Sequence, residues 1–160
     1  MEEITHGFHL QDSGCGSLSG GICRDGQQES GRVGSGAPED IFMEITHGED
    51  GTPVLSPEEF TLANGGYYRF NVVCPEKLTS ETGLHFEATK LLENAHIRVL
   101  SVGSVDIEFY TQGLSFRAIE CDDAGSARFS FHPMRTGVYE IYVRDQAVPP
   151  KEAFGRVVVE

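Results

Sequence analysis

The sequence predicts an all-β protein, a β-sandwich of about seven to nine short strands, preceded by a Gly/Ser-rich, partly flexible extension. Three observations predict it. Apolar and polar residues alternate with a period of two along several segments, turn residues recur every ~8–12 positions, and helical periodicity is confined to one short segment. The 160 residues fit one domain, which we place at residues 41–160, with the extension at residues 1–40.

The last third of the chain carries the clearest strand pattern. Ala127, Phe129 and Phe131 share one face, and polar residues alternate with them. After a Pro-Gly turn at residues 133–137, residues 138–143 alternate in the same way, which predicts that the two segments form a strand pair. A loop with two prolines then leads to a last strand at residues 155–160.

Turn residues also organise the first half of the domain. Residues 41–46 read as a first strand, 48–51 as a turn, and 56–59 as a bend before a strand at 60–62. The Asn64-Gly-Gly sequence is a strong turn signal, so it predicts a hairpin between strand 60–62 and strand 67–73.

The middle of the domain reads as short strands around one helical segment. Strands are predicted at residues 84–88, 97–102, 105–109 and 114–119. Residues 88–94 have weak helical periodicity, with Leu91 and Leu92 as buried anchors, and predict one or two helical turns.

Residues 1–40 have a different composition. From residue 13 to 38, Gly, Ser, Gln and charged residues dominate, and such a segment buries too little apolar surface to offset its chain entropy. A short strand is predicted at residues 3–10. The sequence Glu-Ile-Thr-His-Gly occurs there and again at residues 44–48, a match too short to define a domain repeat.

The net charge and the hydropathy of the chain limit the kinds of molecule that the protein can bind. The net charge of −13 argues against nucleic acid as a partner, because its phosphates would be repelled, and it favours cations or basic proteins.

No apolar segment approaches the ~20 residues that a transmembrane helix needs, and the start of the chain lacks the features of a secretory signal. This leaves two alternatives: the protein is cytosolic, or its signal has been removed.

The four cysteines form no C-x-x-C pair and no zinc-finger spacing. A Cys15–Cys23 disulfide would close a small Gly/Ser loop in an oxidising compartment. Cys74 and Cys121 each follow an apolar segment, and we expect them to be strand-end or buried thiols rather than nucleophiles.

The order of parts near the C-terminus resembles the cupredoxin family: an aromatic strand, a Pro-Gly turn, a Tyr-rich strand, an irregular loop and a last strand of Gly-Arg-Val-Val-Val. The Gly turn followed by Tyr-Tyr-Arg-Phe at residues 67–70 is similar to the same family. The resemblance covers residues 41–160 and implies a Greek-key β-sandwich, in which one histidine near the start of a middle strand and the loop before the last strand hold copper.

By this resemblance, His85 matches the first histidine ligand, and the other ligand positions depart from the pattern. Val143 stands where the family has its cysteine, and Ala153 and Phe154 stand where a methionine would be. Residues 144–153 contain no histidine. A blue-copper site needs two imidazoles and a thiolate, so no type 1 copper is expected.

A non-blue copper site, or one for a related metal, remains an expectation because imidazole and thioether suit copper. The segment from Thr5 to His9 looks like the His-bearing strand of copper-oxidase-type domains, so His6 and His9 join His85 as predicted metal ligands. His96, His132 and Met134 complete the candidates, and the last two should lie far from His85.

Two functional hypotheses follow. The first is a non-enzymatic, metal-binding protein of the cell envelope; the second is a metal-free protein–protein interaction module in a respiratory or copper-enzyme assembly. The sequence contains no catalytic motif, so no enzymatic activity is predicted. The resemblance implies a periplasmic or otherwise extracytoplasmic location, and the oligomeric state stays open.

Overall fold

Two β-sheets packed around one core make up the part of the protein that the structure describes. The computed structural model describes residues 35–77, 83–103, 109–112 and 115–160. These residues form eleven strands and one short helix: β1 Glu39–His47, β2 Pro53–Ser56, β3 Glu59–Leu62, β4 Tyr68–Cys74, β5 Leu84–Glu87, α1 Thr89–Glu93, β6 Ala95–Val102, β7 Phe109–Gln112, β8 Ser115–Cys121, β9 Gly125–Pro133, β10 Gly137–Asp145 and β11 Glu152–Val159.

The predicted all-β sandwich is confirmed, with more strands than expected in the described residues. The additional strand β2 lies between the predicted turn at 48–51 and the predicted bend at 56–59, where the sequence predicts no element. The predicted strand at residues 3–10 and most of the strand at 105–109 lie outside the described residues. The predicted helical turns are confirmed by α1, which buries Leu91 and Leu92. No helix in the described part of the chain has the length and apolarity to cross a membrane.

Strand order divides the chain between the two sheets. The five-stranded sheet has the order β2-β1-β4-β9-β6, and the six-stranded sheet has the order β3-β11-β10-β5-β8-β7. Two pairs are parallel, β1 with β4 and β3 with β11. The other pairs are antiparallel, including β10 with β11 and β5 with both β8 and β10.

Aromatic side chains from both sheets meet in the core. Phe70, Phe129 and Phe131 come from the five-stranded sheet and Phe86 from the six-stranded sheet, and all four are fully buried. The rings of Phe70 and Phe129 stack at 5.5 Å between centroids. Period-two alternation therefore marks the inward face correctly in β4, β5 and β9, as expected for half-buried strands.

The two predicted strand pairs across short turns are wrong. β3 pairs with β11 whereas β4 pairs with β1 and β9, and β9 and β10 likewise lie in different sheets. The turns carry the chain over one end of the sandwich, where the amide of Gly65 donates to the carbonyl of Pro133 at 2.6 Å. The two strands on either side of each turn therefore lie in opposite sheets, and each buries its apolar face in the core between them.

The prediction that Cys74 and Cys121 are unpaired thiols is also wrong. They form a disulfide with 5.8 Å between their Cα atoms. Cys74 ends β4 in the five-stranded sheet and Cys121 ends β8 in the six-stranded sheet, so the bond joins the two layers. The predicted Cys15–Cys23 bond lies outside the described residues.

Candidate functional site

His85 lies on the outer face of the six-stranded sheet. Its neighbours Leu84 and Phe86 point into the core, and the alternation along β5 directs the histidine away from it. Nε2 of His85 lies 3.0 Å from Oε2 of Glu120, its cross-strand partner in β8. The two side chains are only 14% and 5% exposed, so they form a shielded pair.

The loop between the last two strands borders this pair. Arg144, near the end of β10, is the cross-strand partner of His85, and Gln146 in the loop donates a hydrogen bond to Oε1 of Glu120. Asp145 fixes the loop by accepting a hydrogen bond from the amide of Lys151 at 2.9 Å. Val143, next to Arg144 in β10, is buried in the core.

The other candidate ligands are far from His85 or outside the described residues. His96 and His132 are cross-strand partners in the five-stranded sheet, and Nδ1 of His132 lies 3.0 Å from the carbonyl of Gly66. His6 and His9 lie outside the described residues. Within the described residues, no group of three or more His, Cys, Asp or Glu side chains is arranged to hold a metal ion.

A second polar cluster surrounds Glu87 on the same face. Its side chain is 2% exposed, and its carboxylate accepts hydrogen bonds from Tyr142 at 2.7 Å and Arg144 at 2.9 Å. Nε of Arg117 is 3.5 Å away. The register of β7 against β8 skips Arg117, and this bulge directs its side chain toward the carboxylate.

The cluster changes the pKa of Tyr142. Burial, the hydrogen bond to Glu87 and the charge of Glu87 all raise the pKa of Tyr142 above 10.0, with Arg144 and Arg117 opposing the shift. Because Glu87, Arg117 and the pair Tyr142 and Arg144 come from different strands, their contacts join β5, β8 and β10 through side chains.

The Phe154 cleft lies beside this cluster, on the outer face of β3, β10 and β11. It has a volume of 570 Å³ and is lined by Glu58, Glu59, Val138, Glu140, Phe154, Gly155 and Arg156. Phe154 is 53% exposed and Val138 is 67% exposed, so both apolar side chains of the cleft face solvent. Phe154 packs against Tyr142 at 6.1 Å between ring centroids.

Acidic side chains surround these two apolar residues. Arg156 forms an ion pair with Glu59. Glu58 and Glu140 have no cation within ion-pair distance among the described residues. The cleft is therefore apolar at Val138 and Phe154 and negatively charged around them.

Sequence reasoning missed the Phe154 cleft, although one signal for it was present. Val138, Glu140 and Tyr142 alternate with the buried side of β10 and so mark its outer face. Phe154 precedes the last strand predicted at residues 155–160, whereas β11 begins at Glu152 and places Phe154 opposite Tyr142. The start of β11 cannot be located from the sequence, because it directly follows the proline-containing loop.

Comparison with known proteins identifies no family. No family model and no curated protein matches the chain. The solution structure of amebosin is similar over 78% of this chain and 100% of its own, at 13% sequence identity and a TM-score of 0.31. Similarity at that level carries no argument about fold or function.

Proposed function

We propose that this protein is a non-enzymatic interaction module that binds a basic, extended segment of another protein at the Phe154 cleft. The observation that carries the proposal is the exposure of Phe154 and Val138 on one face, bounded by carboxylates. Exposed apolar side chains with a polar rim are typical of protein-binding surfaces.

Charge supports a basic partner. Glu58 and Glu140 lack described ion-pair partners, and the whole chain carries a net charge of −13. Lysine or arginine side chains of a partner would gain ion pairs at the cleft and would be attracted to the protein during approach.

The spacing of the two apolar residues supports an extended partner. Val138 lies four residues from Tyr142 along β10, and Tyr142 faces Phe154. At ~3.3 Å per residue, the two apolar contacts are about 13 Å apart. An extended segment places its residues i and i+4 on one face at the same separation, with residue i+2 between them, near Glu140.

The contacts of the buried carboxylates favour a binding role over catalysis. The two most buried carboxylates of the outer face, Glu87 and Glu120, are held by Arg144, His85 and other polar side chains. In the proposed role, these carboxylates act as structural contacts between strands. The Cys74–Cys121 disulfide supports the extracytoplasmic location that the cupredoxin resemblance implies, because disulfides persist in oxidising compartments.

The test uses a fluorescein-labelled seven-residue peptide with leucine at its second and sixth positions, lysine at its fourth and threonine elsewhere. Fluorescence anisotropy should report saturable binding that weakens as salt is added. Phe154→Ala should lower the affinity about tenfold, because truncation of a central aromatic contact costs more than ~1 kcal/mol. Glu140→Lys should lower it as well.

Phe42→Ala is the matched control, since Phe42 is 58% exposed in β1 of the other sheet. It removes the same side chain and should leave the affinity unchanged. The proposal is wrong if the peptide fails to bind, if Phe42→Ala weakens binding as much as Phe154→Ala, or if a peptide with glutamate in place of lysine binds equally well.

A further inference from the structure

The outer face of the five-stranded sheet contains a second, smaller cleft. This Arg128 cleft has a volume of 220 Å³ and is lined by Pro38, Tyr67, Arg69, Val99, Ser101, Arg128 and Ser130. Its residues come chiefly from the outward positions of β4, β9 and β6, which are adjacent strands. The volume is below the ~300 Å³ of pockets that bind drug-sized ligands, so the cleft suits a small chemical group.

Two arginines of the cleft lie close together on neighbouring strands. Arg69 faces Ser130 across the β4–β9 pair, and Arg128 is two residues from Ser130 on the same face. Such diagonal residue positions are ~7–8 Å apart, within reach of long side chains. Nε of Arg69 lies 3.0 Å from a carboxylate oxygen of Asp40. Arg128 has no carboxylate within ion-pair distance among the described residues.

A third arginine stands at the margin of the cleft. The register of β6 against β9 passes from Ile97 directly to Val99, so Arg98 is the extra residue of a bulge. Its guanidinium lies 4.9 Å from the ring centroid of Tyr67. Bulges of this kind often redirect a side chain beside a binding site.

Tyr67 is held in place by contacts below the cleft. Its ring stacks on that of His132 at 4.5 Å, and its hydroxyl donates to Oγ of Ser130 at 3.3 Å. His132 is 1% exposed and its Nδ1 bonds the carbonyl of Gly66. The aromatic wall of the cleft is thus rigid before any ligand binds, which reduces the entropy lost on binding.

We infer that the Arg128 cleft binds a phosphate or sulfate group. Arg69 and Arg128 line the cleft from adjacent strands and Arg98 lies over Tyr67 at its margin, so several guanidinium donors are available to the oxygens of a tetrahedral dianion. The hydroxyl of Ser101 adds a neutral donor. This site lies on the sheet opposite the Phe154 cleft, so the two proposals succeed or fail independently.

The experiment titrates the full-length, ¹⁵N-labelled protein with sodium phosphate and with sodium sulfate at low, constant ionic strength. Saturable amide shifts are expected at Arg69, Ser101, Arg128 and Ser130. Arg128→Gln should reduce the affinity at least ~tenfold, because it removes charge-assisted hydrogen bonds. Arg98→Gln should reduce it to a smaller degree. Both side chains are exposed, so the variants should fold, and their amide spectra verify this.

Arg135→Gln is the matched control, because Arg135 is exposed in the turn after β9 and carries the same charge. It should leave the affinity unchanged. The inference is overturned if neither anion gives saturable shifts, if Arg128→Gln and Arg135→Gln weaken binding equally, or if succinate binds as tightly as phosphate. Comparison of phosphoserine with inorganic phosphate then separates two sources: tighter binding of phosphoserine identifies an ester group, and equal binding identifies the free anion.

Discussion

The carboxylate of Glu87 accepts a hydrogen bond from the guanidinium of Arg144 at 2.9 Å, on the outer face of a sheet, with the glutamate side chain only 2% exposed. A carboxylate this well buried needs compensating cations, because loss of hydration disfavours its charge. Arg144 and Arg117 supply them, and both remain partly exposed to water. The contact joins the neighbouring strands β5 and β10 by side chains as well as by backbone.

Glu87→Gln should therefore lower the free energy of unfolding by about 2–3 kcal/mol, because it leaves two arginines without their shared carboxylate and weakens the bond from Tyr142. Urea unfolding followed by circular dichroism measures the change. Glu140→Gln, an exposed glutamate of β10, is the control and should change stability by less than ~0.5 kcal/mol. Equal losses in the two variants would show that the Glu87 contacts contribute nothing specific.

The raised pKa of Tyr142 predicts a loss of stability at alkaline pH. Burial and the hydrogen bond to Glu87 favour the protonated phenol in the folded protein. Below pH 10.0, the ordinary pKa of tyrosine, this contribution is fully present, and it is lost as the pH rises through the higher pKa of the folded state. Unfolding free energies at several pH values between about 9 and 11 should fall more steeply for the wild type than for Tyr142→Phe.

Tyr139 provides an internal reference for this measurement, because burial raises its pKa too and both proteins retain it. The difference between the two pH profiles thus isolates Tyr142. Parallel profiles would contradict the prediction and would mean that Tyr142 ionises with the same pKa in the folded and unfolded states.

Strand positions could be predicted from the sequence because side-chain alternation is a local property. Ala127, Phe129 and Phe131 in β9 are buried as this alternation predicts, and so are the inward residues of β10. Pairing is a longer-range property. The links at Asn64-Gly-Gly and at residues 133–136 have the composition of hairpin turns, yet each crosses between sheets, because the core is filled by aromatic rings from both sides.

The surfaces that contain the candidate sites were harder to predict, because their residues are distant in sequence and meet only through strand pairing. His85 was singled out by the family resemblance alone; its partner Glu120 is 35 positions later in the chain, and only the β5–β8 register brings them together. Cys74 and Cys121 are likewise distant in sequence and adjacent only through sheet packing. Neither Phe154 nor Arg128 carries a sequence motif, since each surface arises from neighbouring strands.

The Cys74–Cys121 disulfide should contribute about 4 kcal/mol to stability, the loop-closure value for cysteines 47 residues apart. Reduction, or the Cys74→Ala/Cys121→Ala double variant, should lower the urea midpoint accordingly, because the unfolded chain gains freedom. The Cys15→Ala/Cys23→Ala double variant is the matched control and leaves this bond in place. Alkylation of Cys74 and Cys121 in the native, unreduced protein would contradict the bond itself.

Copper binding distinguishes the interaction module from the metal-handling alternative. Nε2 of His85 is 3.0 Å from Glu120, and the described residues provide no third ligand, so His85→Gln should leave the Cu(II) affinity unchanged in calorimetric titration. Glutamine retains a donor toward Glu120, and His96→Gln, on the opposite sheet, controls for loss of one imidazole. Tight one-to-one binding that only His85→Gln abolishes would instead require His85 to exchange Glu120 for the metal. The additional ligands would then come from outside the described residues, where His6 and His9 lie, and metal handling would replace the interaction module as the proposed function.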